Sequence, residues 1–195
     1  MAYNLQDQEQ IDELKAFWAN NGNRLMWLAV IALAVFAGWR AWNWYHDGQA
    51  QDAAREYAGL LSAADSGKIE QVRERYDAIQ KGYGSSVYAG MAGLRAAEAF
   101  ANWNGPKANQ PDAAAAALEN VMKNSTEPGF KPIAGVRLAG LLFDQKKYDE
   151  ATKAIDTGNI GPVSGEMAAN VADRRGDILA AQGKAPEAKA AWEEA

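Results

Sequence analysis

Ala92-Gly93-Leu94-Arg95-Ala96-Ala97 returns 42 residues later as Ala134-Gly135-Val136-Arg137-Leu138-Ala139, and 37 residues after that as Val171-Ala172-Asp173-Arg174-Arg175-Gly176. Each copy is followed by a second, shorter signature, an Ala with a large apolar residue four positions on: Ala114 and Leu118, Ala151 and Ile155, Ala188 and Trp192. From Ala139 to Ala151 is twelve residues, and from Gly176 to Ala188 is again twelve; Ala97 to Ala114 is seventeen, the extra five lying in the Asn102–Gln110 loop. Such recurrence means a supersecondary unit that buries its apolar face against its neighbours. Small residues belong where two helices approach closely, and the bulky side chain fills the next layer. Apolar periodicity and the Gly and Pro punctuation predict helices over Gln49–Asp65, Lys68–Lys81, Ser86–Trp103, Pro111–Lys123, Lys131–Gln145, Tyr148–Asp156, Gly165–Gln182 and Pro186 to the end. Their short connections make antiparallel hairpins. The fold class expected is all-α: one N-terminal transmembrane helix, then an α-solenoid of about four helical hairpins.

Composition agrees. The chain holds 41 alanines against 19 Val, Ile and Thr together, which favours helix over strand. Its 20 Lys and Arg are outnumbered by 25 Asp and Glu, for a net charge of −5, so the basic face that nucleic-acid phosphates require is missing. With no cysteine, disulfide frameworks, thiolate metal sites and cysteine nucleophiles are excluded, and one histidine makes His-dependent chemistry a poor fit.

Outward from the repeats, fifteen uncharged residues run from Leu25 to Trp39 between Arg24 and Arg40. Fifteen helical residues span only about 22 Å of a hydrocarbon core of about 30 Å. Arg40 can snorkel, however, and Ala41, Trp42, Trp44 and Tyr45 extend the apolar run. Five of the seven tryptophans fall between Trp18 and Trp44, an aromatic girdle suited to membrane interfaces. The alternative is a core helix buried in a soluble domain. A cleaved signal peptide fits poorly, because the segment before the apolar run is long and acidic and Trp39-Arg40 follows it. The expected organisation is therefore 1–24 as an N-terminal segment, 25–45 as an uncleaved anchor and 46–195 as the repeat domain. Lys15 and Arg24 before the helix balance Arg40 and Arg55 after it, so charge alone leaves the orientation open.

The repeat spacing resembles the tetratricopeptide repeat, most plainly in Tyr148-Asp149-Glu150-Ala151. Two departures stand out: no aromatic residue opens the first helix, and the spacing exceeds the usual length of about 34. Taken together, four features resemble the YfgM-like family along nearly the whole chain. They are the acidic start leading to Ala16-Phe17-Trp18-Ala19-Asn20-Asn21-Gly22, the anchor ending Gly38-Trp39-Arg40-Ala41-Trp42-Asn43, the segments Leu138-Ala139 and Arg175-Gly176-Asp177, and the close Gln182-Gly183-Lys184 to Ala190-Ala191-Trp192-Glu193. Members of that family are single-span bacterial inner-membrane proteins with a periplasmic tetratricopeptide-like domain. The resemblance implies a cytoplasmic N-terminus and a role as an ancillary subunit of the Sec translocon. It further implies a membrane-anchored periplasmic prolyl isomerase-like chaperone as partner, and emerging secretory polypeptides as clients. The family continues a little past this C-terminus, so the resemblance also implies a shortened end.

No residue set promises catalysis. The glycines at 82/84 and at 158/161/165 lack dinucleotide-loop spacing and punctuate loops, and His46 reads as an interfacial residue. Asp173, Arg174, Arg175 and Asp177 read as an ion-pair network, and Arg95, Arg137 and Arg174 as markers of repeat register. No cofactor and no metal are expected. The function is placed instead on surfaces. On the concave face, lined by first helices, the register puts Met91, Leu94, Glu98, Ile133, Val136 and Phe143, with Asn170, Asp173 and Asp177 in the third unit. This groove suits a polypeptide segment; the competing reading makes Leu94, Val136 and Phe143 core. In the anchor, Ala34 and Gly38 with Ala41 either admit a partner helix or simply face lipid. The expected function is a non-enzymatic translocon-associated chaperone subunit. The alternatives are an envelope scaffold for another complex, in division or outer-membrane biogenesis, and an enzyme whose site the sequence conceals.

Overall fold

The computed structural model describes the backbone of residues 3–101 and 110–195, with side chains over 11–13, 15–42, 48–101 and 110–195. The readings of the Trp44, Tyr45 and His46 side chains, and of the loop insertion over 102–109, fall outside these residues. Every regular element described is helical. Contacts divide the chain into two units, Met1–Gly48 and Gln49–Ala195.

In the first unit, helix α1 (Tyr3–Asp65) contains Ile11–Trp42, the one described stretch long and apolar enough to cross a membrane. None of that stretch is buried within the chain. Met26, Trp27 and Leu28 are all exposed, and consecutive helical positions point about 100° apart, so no face is reserved for a protein core. The start predicted at Gln49 is corrected. The backbone is already helical there, because Gly48 stands alone among Gln49, Ala50, Ala53 and Ala54, with neither cap nor proline to stop the helix.

The second unit is built of hairpins. Residues 49–65 of α1 pair with α2 (Ile69–Tyr83), where Arg75 meets Glu56 at 3.0 Å and lies against Gly59; α3 (Val87–Ala101) pairs with α4 (Pro111–Asn124), α5 (Phe130–Asp144) with α6 (Tyr148–Ala154), and α8 (Glu166–Ala181) with α9 (Ala185–Glu193). Pro111 and Pro186 occupy the first turns of α4 and α9, where a missing N–H costs nothing. One element escapes the sequence reading: the single turn α7 (Thr157–Ile160), started by the Asp156 carboxylate accepting from the Gly158 N–H at 2.7 Å. It sends the chain away after only seven residues of α6 and lays Ile160 into the core.

The repeated small residues lie where the register requires. An added Cβ on Gly93 would stand 2.4 Å from Val121 of α4, one on Gly135 2.5 Å from Ile160 and 2.6 Å from the Ala154 carbonyl oxygen, and one on Gly176 2.3 Å from Trp192 of α9. Each first helix therefore touches its second helix through bare backbone. The partner signature fills the adjoining layer: Ala114, Leu118, Ala151, Ile155 and Ala188 are all essentially inaccessible, whereas Trp192 remains 44% exposed. Leu60, Val72, Ile79 and Phe100 continue this core through the first two hairpins.

Three hairpins turn in the same way. Gly67, Lys146 and Gly183 adopt left-handed φ of 66°, 62° and 79°. In each turn the next residue's N–H (Lys68, Lys147, Lys184) reaches back five residues to the carbonyls of Ala63, Leu142 and Leu179 at 2.9 Å, which is a Schellman closure.

Four results are expected from urea unfolding of the 49–195 fragment, which holds the whole second unit. Gly135→Ala should destabilise it by about 1–3 kcal/mol, because the new methyl meets a backbone oxygen that cannot step aside. Gly140→Ala, whose methyl would meet nothing closer than the Arg174 guanidinium at 3.7 Å, should instead be neutral or stabilise by up to about 1 kcal/mol. In the turns, Lys146→Gly should stabilise by about 0.5–1 kcal/mol. Gly183→Ala, with open space around its Cβ, should cost about 1–2 kcal/mol through backbone strain alone.

Candidate interaction surfaces

The first helices lie side by side, and arginines at one repeat position tie each to the one before. Arg95 on α3 donates to Asp65 at the end of α1 at 2.6 Å and pairs with Glu98 at 3.0 Å. Arg137 on α5 donates from Nη1 to the Leu94 carbonyl at 3.4 Å. Arg174 on α8 lies against Gly140 of α5 and pairs with Asp177 at 3.5 Å. These arginines do mark register, and they do so by bridging neighbouring first helices. Partial burial by itself would lower the pKa of Arg95, but the hydrogen bonds and charges of Asp65 and Glu98 reverse the effect and raise it. Two tyrosines of the domain, one beside this seam and one between the second helices α2 and α4, titrate high, chiefly because burial disfavours their phenolates. They are Tyr57, stacked obliquely on Tyr88, and Tyr76, whose hydroxyl accepts from Asn120 at 3.0 Å.

Along this face Leu94, Val136 and Phe143 are half-buried: each packs on the core with one side and remains accessible on the other. Met91 and Ile133 are half-buried outside the core cluster, Glu98 and Asp177 are half-buried, and Asp173 and Asn170 are exposed. The seam joins Leu94 to Arg137 and brings Asp177 to Arg174. Phe143 also packs its ring on Tyr148, with centroids 5.6 Å apart, across the α5–α6 turn. In the apolar helix, Ala34, Gly38 and Ala41 are exposed, and an added Cβ on Gly38 would meet nothing within 4 Å.

A second surface was not read from the sequence. Between α4 and α6 an open cleft of about 460 Å³ has Met122, Leu138, Leu142 and Ala154 as its apolar lining and Glu119, Lys123, Glu150 and Lys153 at its edges, with Asn159 at one corner. It exists because α6 is half the length of α4. The Asp156-Thr157-Gly158 run carried the signal for that early stop. Among the described residues no group of three or more His, Cys, Asp or Glu could hold a metal.

Stacked helical hairpins preceded by an exposed, membrane-length apolar helix define a class: tetratricopeptide-like proteins with an N-terminal apolar helix. The family described as tetratricopeptide repeat-like domain matches residues 15–195. The chain is 30% identical over 190 residues to the ancillary SecYEG translocon subunit of Escherichia coli (strain K12), covering 96% of this chain and 85% of that protein. It is also 30% identical over 189 residues to the protein of the same name from Neisseria gonorrhoeae, covering 96% and 86%, and 25% identical over 197 residues to that of Haemophilus influenzae, covering 100% and 91%. The chain belongs to the YfgM-like family.

Half-burial sets an intermediate cost for opening the first-helix face. Leu118→Ala, in the sealed core, should cost about 2–5 kcal/mol. Leu94→Ser and Phe143→Ser should each cost less than Leu118→Ala and leave the helical circular dichroism of the 49–195 fragment intact; equal or larger losses in thermal unfolding would make these residues core.

Proposed function

We propose that this chain is a membrane-anchored, non-enzymatic interaction subunit that associates with the Sec translocon. Residues 25–45 cross the bacterial inner membrane among its lipids, 1–24 lie in the cytoplasm, and the helical domain from residue 46 works in the periplasm. There it acts with a membrane-anchored prolyl isomerase-like chaperone on emerging secretory polypeptides. One observation carries the reading: near end-to-end similarity to relatives named for the SecYEG translocon, covering the apolar helix as well as the repeats. The fold is consistent with it. The span has apolar side chains on all sides for lipid or partner helices, and the repeats expose a half-apolar, half-charged face. Ala34, Gly38 and Ala41 are proposed to admit a translocon helix. Met91, Leu94, Glu98, Ile133, Val136, Phe143, Asp173 and Asp177 are proposed to contact the chaperone or client.

The test uses the full chain in cells. External protease on spheroplasts should digest the domain beyond residue 45 and spare the N-terminal segment, and a tagged chain should co-purify with SecYEG subunits. Leu94→Ser with Phe143→Ser should reduce recovery of the chaperone or client while the fold persists. A protected domain would overturn the topology, and absence of SecYEG from the purified material would overturn the association.

A further inference from the structure

The cleft between the second helices has a polarity that the first-helix face does not share. α4 and α5 form one antiparallel step and α5 and α6 the next, so α4 and α6 run parallel along the two edges of the cleft. Glu119 precedes Lys123 by one turn on α4, and Glu150 precedes Lys153 by about one turn on α6. The parallel arrangement sets both carboxylates at one end of the cleft and both ammonium groups at the other. All four side chains are exposed, and none pairs with another described residue. Between the charged ends lies the half-buried Met122, over the edges of Leu138 and Leu142, which are 4% and 7% exposed.

The geometry points to this cleft as a docking site for an amphipathic helix of a partner protein. That helix would present apolar side chains between a basic residue at one end and an acidic residue about one turn away. Charge complementarity fixes these ends, since a cation meets Glu119 and Glu150 while an anion meets Lys123 and Lys153. The secondary structure favours a helix over an extended peptide. No strand edge occurs among the described residues to receive backbone hydrogen bonds, whereas two parallel helices flanking an apolar floor form the groove into which a third can settle. At about 460 Å³ the cleft lies within the volume range of small-molecule pockets, room for a few side chains of a docked helix. This site stands apart from the first-helix face and does not depend on the translocon reading.

The probe is a labelled synthetic amphipathic helix with Leu and Phe on one face between a Lys and a Glu. Fluorescence anisotropy follows its binding to the full chain in detergent micelles. Saturable binding is expected. The double variant Glu119→Lys with Glu150→Lys, confined to exposed side chains, should keep its melting temperature, weaken this peptide about tenfold, and bind a peptide with Glu at both ends more tightly than the native chain does. Met122→Ser should weaken both peptides. No saturable binding, unchanged affinities in the double variant, or concentration-dependent dimers abolished by that variant would each overturn the proposal, the last by assigning the cleft to self-association.

Discussion

Bare backbone at Gly93, Gly135 and Gly176 lets each first helix lie against its partner at a distance that no Cβ would tolerate. The rest of the domain follows from this approach. It places Leu118 and Ile155 in sealed layers, and it keeps successive first helices near enough for side chains to cross between them. A protein interior is close-packed, so one methyl at Gly135 would have to push the α6 backbone aside, and at Gly93 and Gly176 it would have to move the Val121 and Trp192 side chains. Short Schellman turns bring the second helix back at the right height, and at Lys146 the chain accepts a left-handed conformation on a side-chain-bearing residue to preserve this geometry.

The arginines at the repeated position make a second use of the same register. Arg95 reaches a carboxylate, Arg137 a backbone carbonyl and Arg174 a glycine with its own Asp177 alongside, so one sequence position bridges neighbouring repeats through three chemistries. Only their shared reach is periodic. These half-buried contacts leave the first-helix face neither core nor open surface. Leu94 and Val136 support the interior with one side and remain available on the other.

The repeats differ where α6 stops. Capping by Asp156 ends the second helix of the third hairpin early, and Ile160 from the following turn replaces what a longer helix would have buried against Gly135. A stack of equal helices would close the space over Leu138 and Leu142. The shortened one leaves the polarised cleft.

Much of this was legible in the amino-acid order. Helix positions, hairpin pairing, the small-residue contacts and the long apolar N-terminal helix all depend on patterns of period and spacing, which a linear reading preserves. The continuity of α1 through Gly48 and the half-buried state of Leu94, Val136 and Phe143 were not legible. Nor was the meeting of Glu119 and Lys123 with Glu150 and Lys153, about thirty residues away in sequence. Periodicity assigns a residue to a face of its own helix, but burial and charge juxtaposition depend on how far the neighbouring helix extends over that face. Only the packed structure, with α6 cut short against α4, decided that.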